Sequence, residues 1–357
     1  MGLTTTLEDL GGWPVVLGRL IRGEDLSVEQ AAAALGDVLE GNASPAQIGA
    51  FITLIHAKGE TVAELAGLVQ SMLSFAEPIP LGANADVLDT CGTGGSVQRR
   101  EGAFNVSTIA SLVAAGAGAR IAKHGGRAAS ATSSSADLLA ELGVAIDLGA
   151  EGVARCVDEA GMGFCFAPRF HLAARHAAPV RRELGVPTVF NFINPLSNPA
   201  RPRRQVVGVS DPKLAEKMLG VLQTNGATRA MVLYGHDGLD ELTTTTTSTV
   251  LELRDGEVRS FEVDPTALGL PPADRAALRG GDSADNAVLA RRVLGGEPGP
   301  HRDIVLLNAA AGIVTAGLAD NLDSGLAQAR ESLDGGRASE VLERLVVVSQ
   351  AAAAAQA

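Results

Sequence analysis

Closely spaced glycines follow a short apolar run within residues 86–96, which read DVLDTCGTGGS, and a helix-like segment begins at Asn105. Gly-rich turns after a strand direct main-chain N–H groups at an anion, and a helix N-terminus adds partial positive charge. The Walker A pattern is absent, and Val97 stands where the dinucleotide fingerprint requires a third glycine. A phosphate loop and an ordinary strand-to-helix turn are both compatible with this stretch alone.

A second candidate loop lies in residues 122–137, which read AKHGGRAASATSSSAD. Lys123 and Arg127 supply positive charge, and the hydroxyl groups that follow can donate hydrogen bonds: Ser130, Thr132 and residues 133–135. If two neighbouring parallel strands end in such loops, a phosphate-containing ligand at that sheet edge is indicated. A solvated serine-rich loop is the alternative.

Two adjacent carboxylates, Asp240 and Glu241, follow the apolar run AMVLYG at residues 230–235. Carboxylates near bound phosphates suit Mg²⁺, which takes a few protein oxygens together with phosphate oxygens and water. The alternative is a pair of helix-start acids or solvated surface charges. His236 is conceivable as a general base, although an isolated histidine is more often structural.

The elements that would position these residues fall into two classes. Three segments in the first eighty residues have helical periodicity and begin at Ser27, Ser44 and Thr61, which are good N-caps. From Val87 onward, short β-like runs alternate with helical ones, and residues 247–263 read as a hairpin turning at Asp255-Gly256. The threonine-rich run at residues 243–249 is expected to be a strand or strand entry.

We therefore predict an α/β protein: a small helical bundle plus a large α/β domain whose central, mostly parallel sheet is flanked by helices. The expected boundaries are residues 1–83 for the helical domain, with a return segment at about 171–200. The α/β domain takes residues 84–170 and 201–350, and 351–357 form a frayed tail.

Composition limits the function classes. The chain has 357 residues, of which 46% are hydrophobic, and a formal net charge of −12, which argues against general binding of nucleic acid. Three cysteines without metal spacing are expected to be reduced thiols of a cytoplasmic protein. No apolar run reaches membrane-spanning length, so no membrane partner is expected.

Five ordered motifs resemble the anthranilate phosphoribosyltransferase family: GTGG…FNVST, AKHGGRAAS, GFCFAPRFH, RHAAPVRRELGVPTVFNFINPLSNPARP and GHDGLDELTTTTTST. The resemblance spans nearly the whole chain. It implies a helical domain interrupted in sequence, a hinged cleft, and a homodimer formed through the helical domains. It also implies Mg²⁺-dependent transfer of the phosphoribosyl group of 5-phosphoribosyl 1-diphosphate (PRPP) to anthranilate, with release of pyrophosphate, in tryptophan biosynthesis.

The resemblance also implies roles for individual residues. PRPP would be bound by Gly92, Thr93, Gly94, Gly95, Ser96, Asn105, Ser107, Thr108, Lys123, Ser130 and Ser135. Mg²⁺ would be held by Ser107, Asp240 and Glu241. The acceptor side would be lined by His124, Gly126, Pro168, His171, Ala174, Arg181 and Asn194, with Arg181 facing a carboxylate. No general base is assigned, because an aryl amine is already a free nucleophile.

The sequence departs from the family pattern at two places. Near the donor, Ser96 replaces an aspartate, and VQRREGAF at residues 97–104 lengthens the loop, so that Arg99 and Arg100 could add phosphate contacts. On the acceptor side, three positions differ where the family has asparagine, an aromatic residue and glycine: Gly126, Ala174 and Asn194. These changes favour the hypothesis that PRPP chemistry is retained on a different aromatic acid or amine, in secondary metabolism.

Three further alternatives follow from the sequence. A pyrimidine nucleoside phosphorylase shares the architecture, but the acidic pair suits a diphosphate-bound metal better than inorganic phosphate. A nucleic-acid-binding relative is disfavoured by the net charge of −12. An inactive homologue would result if Ser96 and the lengthened loop disabled donor binding.

Overall fold

The structure is a computed structural model that describes residues 5–82, 86–94, 102, 104–127 and 132–356. Its first part contains four helices: α1 (Gly12–Ile21), α2 (Val28–Glu40), α3 (Pro45–Lys58) and α4 (Val62–Ser74). The last three begin at the caps expected from the sequence, each with a reciprocal capping box at Ser27, Ser44 or Thr61. Helix α1, which contains Gly18 and Pro14, was not predicted.

Seven strands form one sheet: β1 (Val87–Gly92), β2 (Arg120–Gly125), β3 (Met162–Phe166), β4 (Arg204–Gly208), β5 (Arg229–Gly235), β6 (Ser248–Arg254) and β7 (Glu257–Val263). Their order is β3-β2-β1-β4-β5-β6-β7. The first five strands are parallel, whereas β6 and β7 pair antiparallel. The predicted mostly parallel sheet is confirmed, and the hairpin turns at Asp255 and Gly256, both at positive φ, as a two-residue turn requires.

The helices of the second part connect and flank these strands. They are α5 (Val106–Gly116), α6 (Ser135–Glu141), α7 (Ala150–Ala160), α8 (Ala167–Phe170), α9 (Ala178–Leu184), α10 (Phe190–Ile193), α11 (Ala215–Thr224), α12 (Ser283–Leu294), α13 (Pro300–Thr315), α14 (Leu322–Asp334) and α15 (Arg337–Gln356). Short 3₁₀ helices lie at Glu8–Leu10, Leu172–His176, Asn194–Leu196, Pro212–Leu214 and Arg275–Leu278.

The core consists of two apolar clusters on opposite faces of the sheet. Alternate strand residues point to opposite faces, so Val206 and Met231 join one cluster while Val207 and Val232 join the other. The first cluster includes residues of α5, α7, α13, α14 and α15. The second combines the N-terminal bundle with α11 and with Val180 and Phe190 of the segment that follows β3.

One prediction about the end of an element was wrong. Residues 351–356 are not a frayed tail, because α15 continues to Gln356, whose side chain accepts a hydrogen bond from Gly149 N at 3.1 Å. Alanine is the best helix former, and Ala352 is buried against the core.

The threonine run is the entry to β6, one of the two expected possibilities, because the strand itself begins only at Ser248. The hydroxyl groups of Thr243 and Thr245 donate instead to the Asp237 carboxylate, at 2.9 and 2.7 Å, which fixes this stretch as a loop. Among the helices described, none is long and apolar enough to cross a membrane.

Candidate functional site

The candidate site lies at the carboxyl ends of the central strands. From β1 the chain adds β2 and β3 on one side and later β4 and β5 on the other, so the topology switches between β1 and β4. Ligands of open α/β sheets bind at such a point. Gly92, assigned to the glycine loop from the sequence, is the last residue of β1 and lies opposite Gly208, the last residue of β4.

The two carboxylates predicted to bind metal lie against the glycine loop and the start of the helix that follows it. Asp240 is fully buried and accepts a hydrogen bond from Gly94 N at 2.9 Å, while Glu241 accepts one from Ser107 N at 3.2 Å. Gly94 belongs to the glycine loop, and Ser107 lies in the first turn of α5. The structure therefore brings the acidic pair to the glycine loop and helix start, two features that the sequence proposed separately.

The backbone on each side of the acidic pair is held by residues that could not be selected from the sequence. Asn308 of α13 accepts from Leu242 N at 3.0 Å and donates to Leu242 O at 2.8 Å. A Cβ added to Gly208 would lie 1.8 Å from the carbonyl oxygen of Asp240, so only glycine fits there. A lone asparagine within the apolar run IVLLNAAAGIV was the available signal for Asn308.

Lys123 is buried at the floor of the site, with 1% of its surface exposed. Its Nζ donates to the carbonyl oxygen of Thr90 and lies 3.5 Å from Ser107 Oγ. Below it is Asp89, whose carboxylate accepts from His124 N at 3.1 Å. Burial raises the pKa of the Asp89 carboxyl, and the positive charge of Lys123 opposes that rise.

Hydroxyl and amide groups join the two loops. Ser133 Oγ donates to Asn105 Oδ1 at 3.0 Å, and Thr108 Oγ1 donates to Ser135 Oγ at 3.0 Å. The buried Thr93 hydroxyl has no hydrogen-bond partner among the described residues. Several residues chosen from the sequence lie outside the described residues: Gly95, Ser96, Arg99, Arg100 and Ser130.

Two histidines meet on the predicted acceptor side. The rings of His124 and His171 are 5.2 Å apart in an edge-to-face arrangement. The Nε2 atom of each ring is buried without a hydrogen-bond partner among the described residues. Each Nε2 can therefore form a hydrogen bond with a ligand, as acceptor or as donor according to the tautomer of the ring.

Burial keeps both rings neutral. Desolvation, together with the charges of its neighbours, lowers the pKa of His124 well below its usual range, and desolvation lowers the pKa of His171 to about 4. At neutral pH this part of the site can accept hydrogen bonds from a ligand but carries no imidazolium charge.

The other acceptor-side residues lie on the segments that surround this pair. Arg181 of α9 stacks on Phe190 at 4.6 Å, and desolvation lowers its pKa. It makes no ion pair within the part of the chain that is described. Three further residues lie after β2, in α8 and in the 3₁₀ helix that follows it: Gly126, Pro168 and Ala174.

Comparison with known proteins agrees with this geometry. The family model described as the glycosyl transferase family a/b domain matches residues 84–339, and the helical bundle domain of the same family matches residues 14–76. An anthranilate phosphoribosyltransferase of Roseiflexus castenholzii is 52% identical over 93% of this chain and 96% of its own length. The chain belongs to the anthranilate phosphoribosyltransferase family. A family member from Salinispora arenicola is 49% identical over 95% of this chain and 97% of its own.

Solved structures of the anthranilate phosphoribosyltransferase family share the fold. The enzyme from Thermus thermophilus is 40% identical with a TM-score of 0.88, covering 94% of this chain and 99% of its own. The enzyme from Saccharomyces cerevisiae, solved in complex with PRPP and Mg, is 25% identical with a TM-score of 0.85, covering 95% of this chain and 98% of its own.

The residues at the acidic pair fit the magnesium ion present in that yeast family member. Two buried carboxylates and the Ser107 hydroxyl supply only oxygen donors, which Mg²⁺ prefers. No cluster of three or more His, Cys, Asp or Glu side chains suited to a metal occurs in the described ranges. Such a site holds Mg²⁺ through few protein ligands and leaves positions for phosphate oxygens and water.

The neutral His171 makes stability depend on acidity. Its pKa is about 4 when folded against an ordinary value of 6.5, so the unfolded chain binds a proton first as the pH falls. The free energy of unfolding is therefore expected to decrease between about pH 6.5 and pH 4. In a His171→Gln variant, the loss of stability between pH 7 and pH 4.5, measured by urea unfolding, should be smaller than in the wild type. An equal loss in the two proteins would contradict this.

Proposed function

We propose that the protein transfers the phosphoribosyl group of PRPP to the amine of anthranilate, releasing pyrophosphate, as a step of tryptophan biosynthesis. The observation that supports this most is the pair of hydrogen bonds from Gly94 N to Asp240 and from Ser107 N to Glu241. These bonds put the acids within reach of the same main-chain donors that suit a diphosphate, so one metal–diphosphate group can contact all four residues.

Binding of the donor exchanges these contacts. The N–H groups of Gly94 and Ser107, now directed at carboxylates, turn to phosphate oxygens, and the two carboxylates become ligands of Mg²⁺. Bound Mg²⁺ offsets negative charge on the departing pyrophosphate. The Thr93 hydroxyl, buried without a described partner, supplies another donor, and Lys123 adds positive charge beneath the group. Electrostatic stabilisation of the leaving group by fixed donors is the main contribution of the chain.

The acceptor side matches an aromatic amine that carries a carboxylate. The neutral rings of His124 and His171, each with a buried and unpartnered Nε2, can accept hydrogen bonds from an amine. The partly desolvated guanidinium of Arg181 is the group that binds the carboxylate. Orientation of the amine toward C1 of the ribose supplies much of the remaining rate, because the amine needs no activation by a base.

Three acceptor-side departures favour a related acceptor as the second candidate. At Gly126 an added Cβ would lie 3.8 Å from the Ala167 methyl group, which leaves room where the family has an asparagine side chain. Ala174 is a small residue in place of an aromatic one, and Asn194 stands where the family has glycine. Extra space of this kind would admit a ring substituent on an aminobenzoate.

The test is a turnover assay with PRPP and Mg²⁺ that follows both pyrophosphate release and acceptor consumption. Anthranilate is expected to react with kcat on the order of 1 s⁻¹ or more. Benzoate, which lacks the amine, and aniline, which lacks the carboxylate, serve as matched controls and should not react measurably. Turnover of a ring-substituted aminobenzoate at the expense of anthranilate would support the second candidate. No pyrophosphate release with any acceptor would contradict the proposed function.

Two further features are proposed with this function. A homodimer through the helical domain is supported by Val15 and Ile21 of α1, which are 42% and 70% exposed although apolar. A cytoplasmic location is supported by three cysteines that form no disulfide. Sedimentation at micromolar concentration tests the dimer.

A further inference from the structure

Asn105 is the N-cap residue of α5, but its side chain does not cap the helix. It precedes the first residue of α5, where asparagine is a favoured N-cap, yet it makes no side-chain capping bond. Glu241 instead accepts the hydrogen bond from Ser107 N in the first turn of that helix. The Asn105 side chain is almost fully buried, so its amide has another task.

Two donors from distant parts of the chain meet at its oxygen. Asn105 Oδ1 accepts from Ser133 Oγ and from Asn286 Nδ2, both at 3.0 Å. Ser133 belongs to the second phosphate loop, and Asn286 lies in the first turn of α12, fully buried. An amide whose oxygen accepts two bonds is fixed in rotation, so its nitrogen end lies on the opposite side, where it can donate to a phosphate or ribose oxygen.

The orientation of Asn286 is itself fixed. Its Oδ1 accepts from Gly281 N at 3.1 Å, and this leaves Nδ2 as the end directed at Asn105. The preceding residues contact both loops as well, because Gly280 N donates to Gly102 O at 2.8 Å and Thr132 Oγ1 donates to Gly281 O at 3.0 Å. Residues 280–286, which we call the bridging segment, thus join the loop after β1 to the loop after β2.

From these contacts we infer that Asn286 is a positioning residue for PRPP: through Asn105 it sets the direction of a donor to the substrate and couples the two phosphate loops. This rests on the proposed function, since it assigns PRPP as the ligand of Asn105. Asn286 itself touches no substrate. Its removal should therefore weaken PRPP binding and leave the acceptor side unchanged.

The test compares Asn286→Ala, Asn105→Ala and the double variant, with PRPP affinity measured by calorimetry in Mg²⁺ and KM for both substrates. Each single change is expected to raise the Kd and KM of PRPP about tenfold, the size of one well-placed hydrogen bond, with the anthranilate KM within about twofold. Because the two residues act through one contact, the double variant should also lose about tenfold rather than about a hundredfold.

A matched control is Ser332→Ala, which removes a buried hydroxyl located away from the two loops. That hydroxyl donates a hydrogen bond of 2.7 Å to Val113 O. It should lower Tm and leave the PRPP affinity unchanged. If Asn286→Ala does not fold, Ser133→Ala removes the other donor to Asn105 Oδ1 and is expected to weaken PRPP binding in the same way.

Two results would overturn the role of Asn286 without affecting the proposed function. One is a loss of PRPP affinity in the double variant equal to the product of the single losses. The other is an Asn286→Ala variant that behaves like Ser332→Ala, with a lower Tm and unchanged PRPP affinity. A wild-type protein that binds no PRPP in the presence of Mg²⁺ would overturn the proposed function and this inference with it.

Discussion

Replacing Asp240 by asparagine or Glu241 by glutamine should lower kcat/KM for PRPP by about 10²–10³-fold, the range found when a single preorganised electrostatic group is removed from an active site. Both substitutions keep the size of the side chain and an oxygen that can accept from Gly94 N or Ser107 N. They remove only the charge, so the fold should be retained while the affinity for Mg²⁺ falls. The loss should shrink as the Mg²⁺ concentration is raised, which a purely structural defect would not show.

For the Asp240→Asn and Glu241→Gln variants, we would measure initial rates over a series of Mg²⁺ concentrations, together with Tm. Glu257→Gln is the matched control, because Glu257 is an exposed acid on the edge strand β7 and should leave kcat/KM unchanged. Because both acids serve one ion, the double variant should lose much less than the product of the single effects. Variants with wild-type kinetics at limiting Mg²⁺ would contradict the assigned role.

Gly208→Ala should lower kcat/KM by about 10²-fold, although it replaces no side chain that contacts the substrate. The added methyl would lie 1.8 Å from the carbonyl oxygen of Asp240, a distance that backbone can relieve only by moving. A displacement of about 1 Å in a catalytic group is sufficient for a loss of that size. Overpacking should also reduce the free energy of unfolding, by about 1–3 kcal/mol.

Gly82→Ala is the control for this prediction, since an added Cβ there meets nothing within 4 Å. Steady-state kinetics and urea unfolding of the two variants separate the loss of activity from the loss of stability. If Gly208→Ala had normal kinetics, the acidic pair would tolerate displacement. That result would contradict the claim that Asp240 and Glu241 must be closely positioned.

The parts of the fold that local chemistry determines were predictable. The caps at Ser27, Ser44 and Thr61 satisfy the first N–H groups of their own helices, so the sequence contains the whole signal. The turn at Asp255-Gly256 is equally local. The alternation of strands and helices after Val87 was sufficient to predict the α/β class and the mostly parallel sheet.

The residues that support the site were not predictable in this way. Asn308 acts on Leu242, 66 positions away, and Asn286 acts on Asn105, 181 positions away. Asn286 has no pattern that sets it apart from a helix-surface asparagine until the helices are packed, and Asn308 is distinguished only by the apolar run around it. The sequence left strand and strand entry open for the threonine run for the same reason: the carboxylate of Asp237 holds Thr243 and Thr245 outside the strand despite their β-branched side chains.

The central claim is that the glycine loop and the acidic pair converge on one metal–diphosphate group. The most direct measurement is a crystal structure of the protein with PRPP and Mn²⁺, with the metal located by its anomalous signal. We expect the ion to be bound to a carboxylate of Asp240 or Glu241 and to diphosphate oxygens, with Gly94 N now donating to the diphosphate. A metal and diphosphate bound elsewhere, with the Gly94–Asp240 hydrogen bond intact, would contradict it.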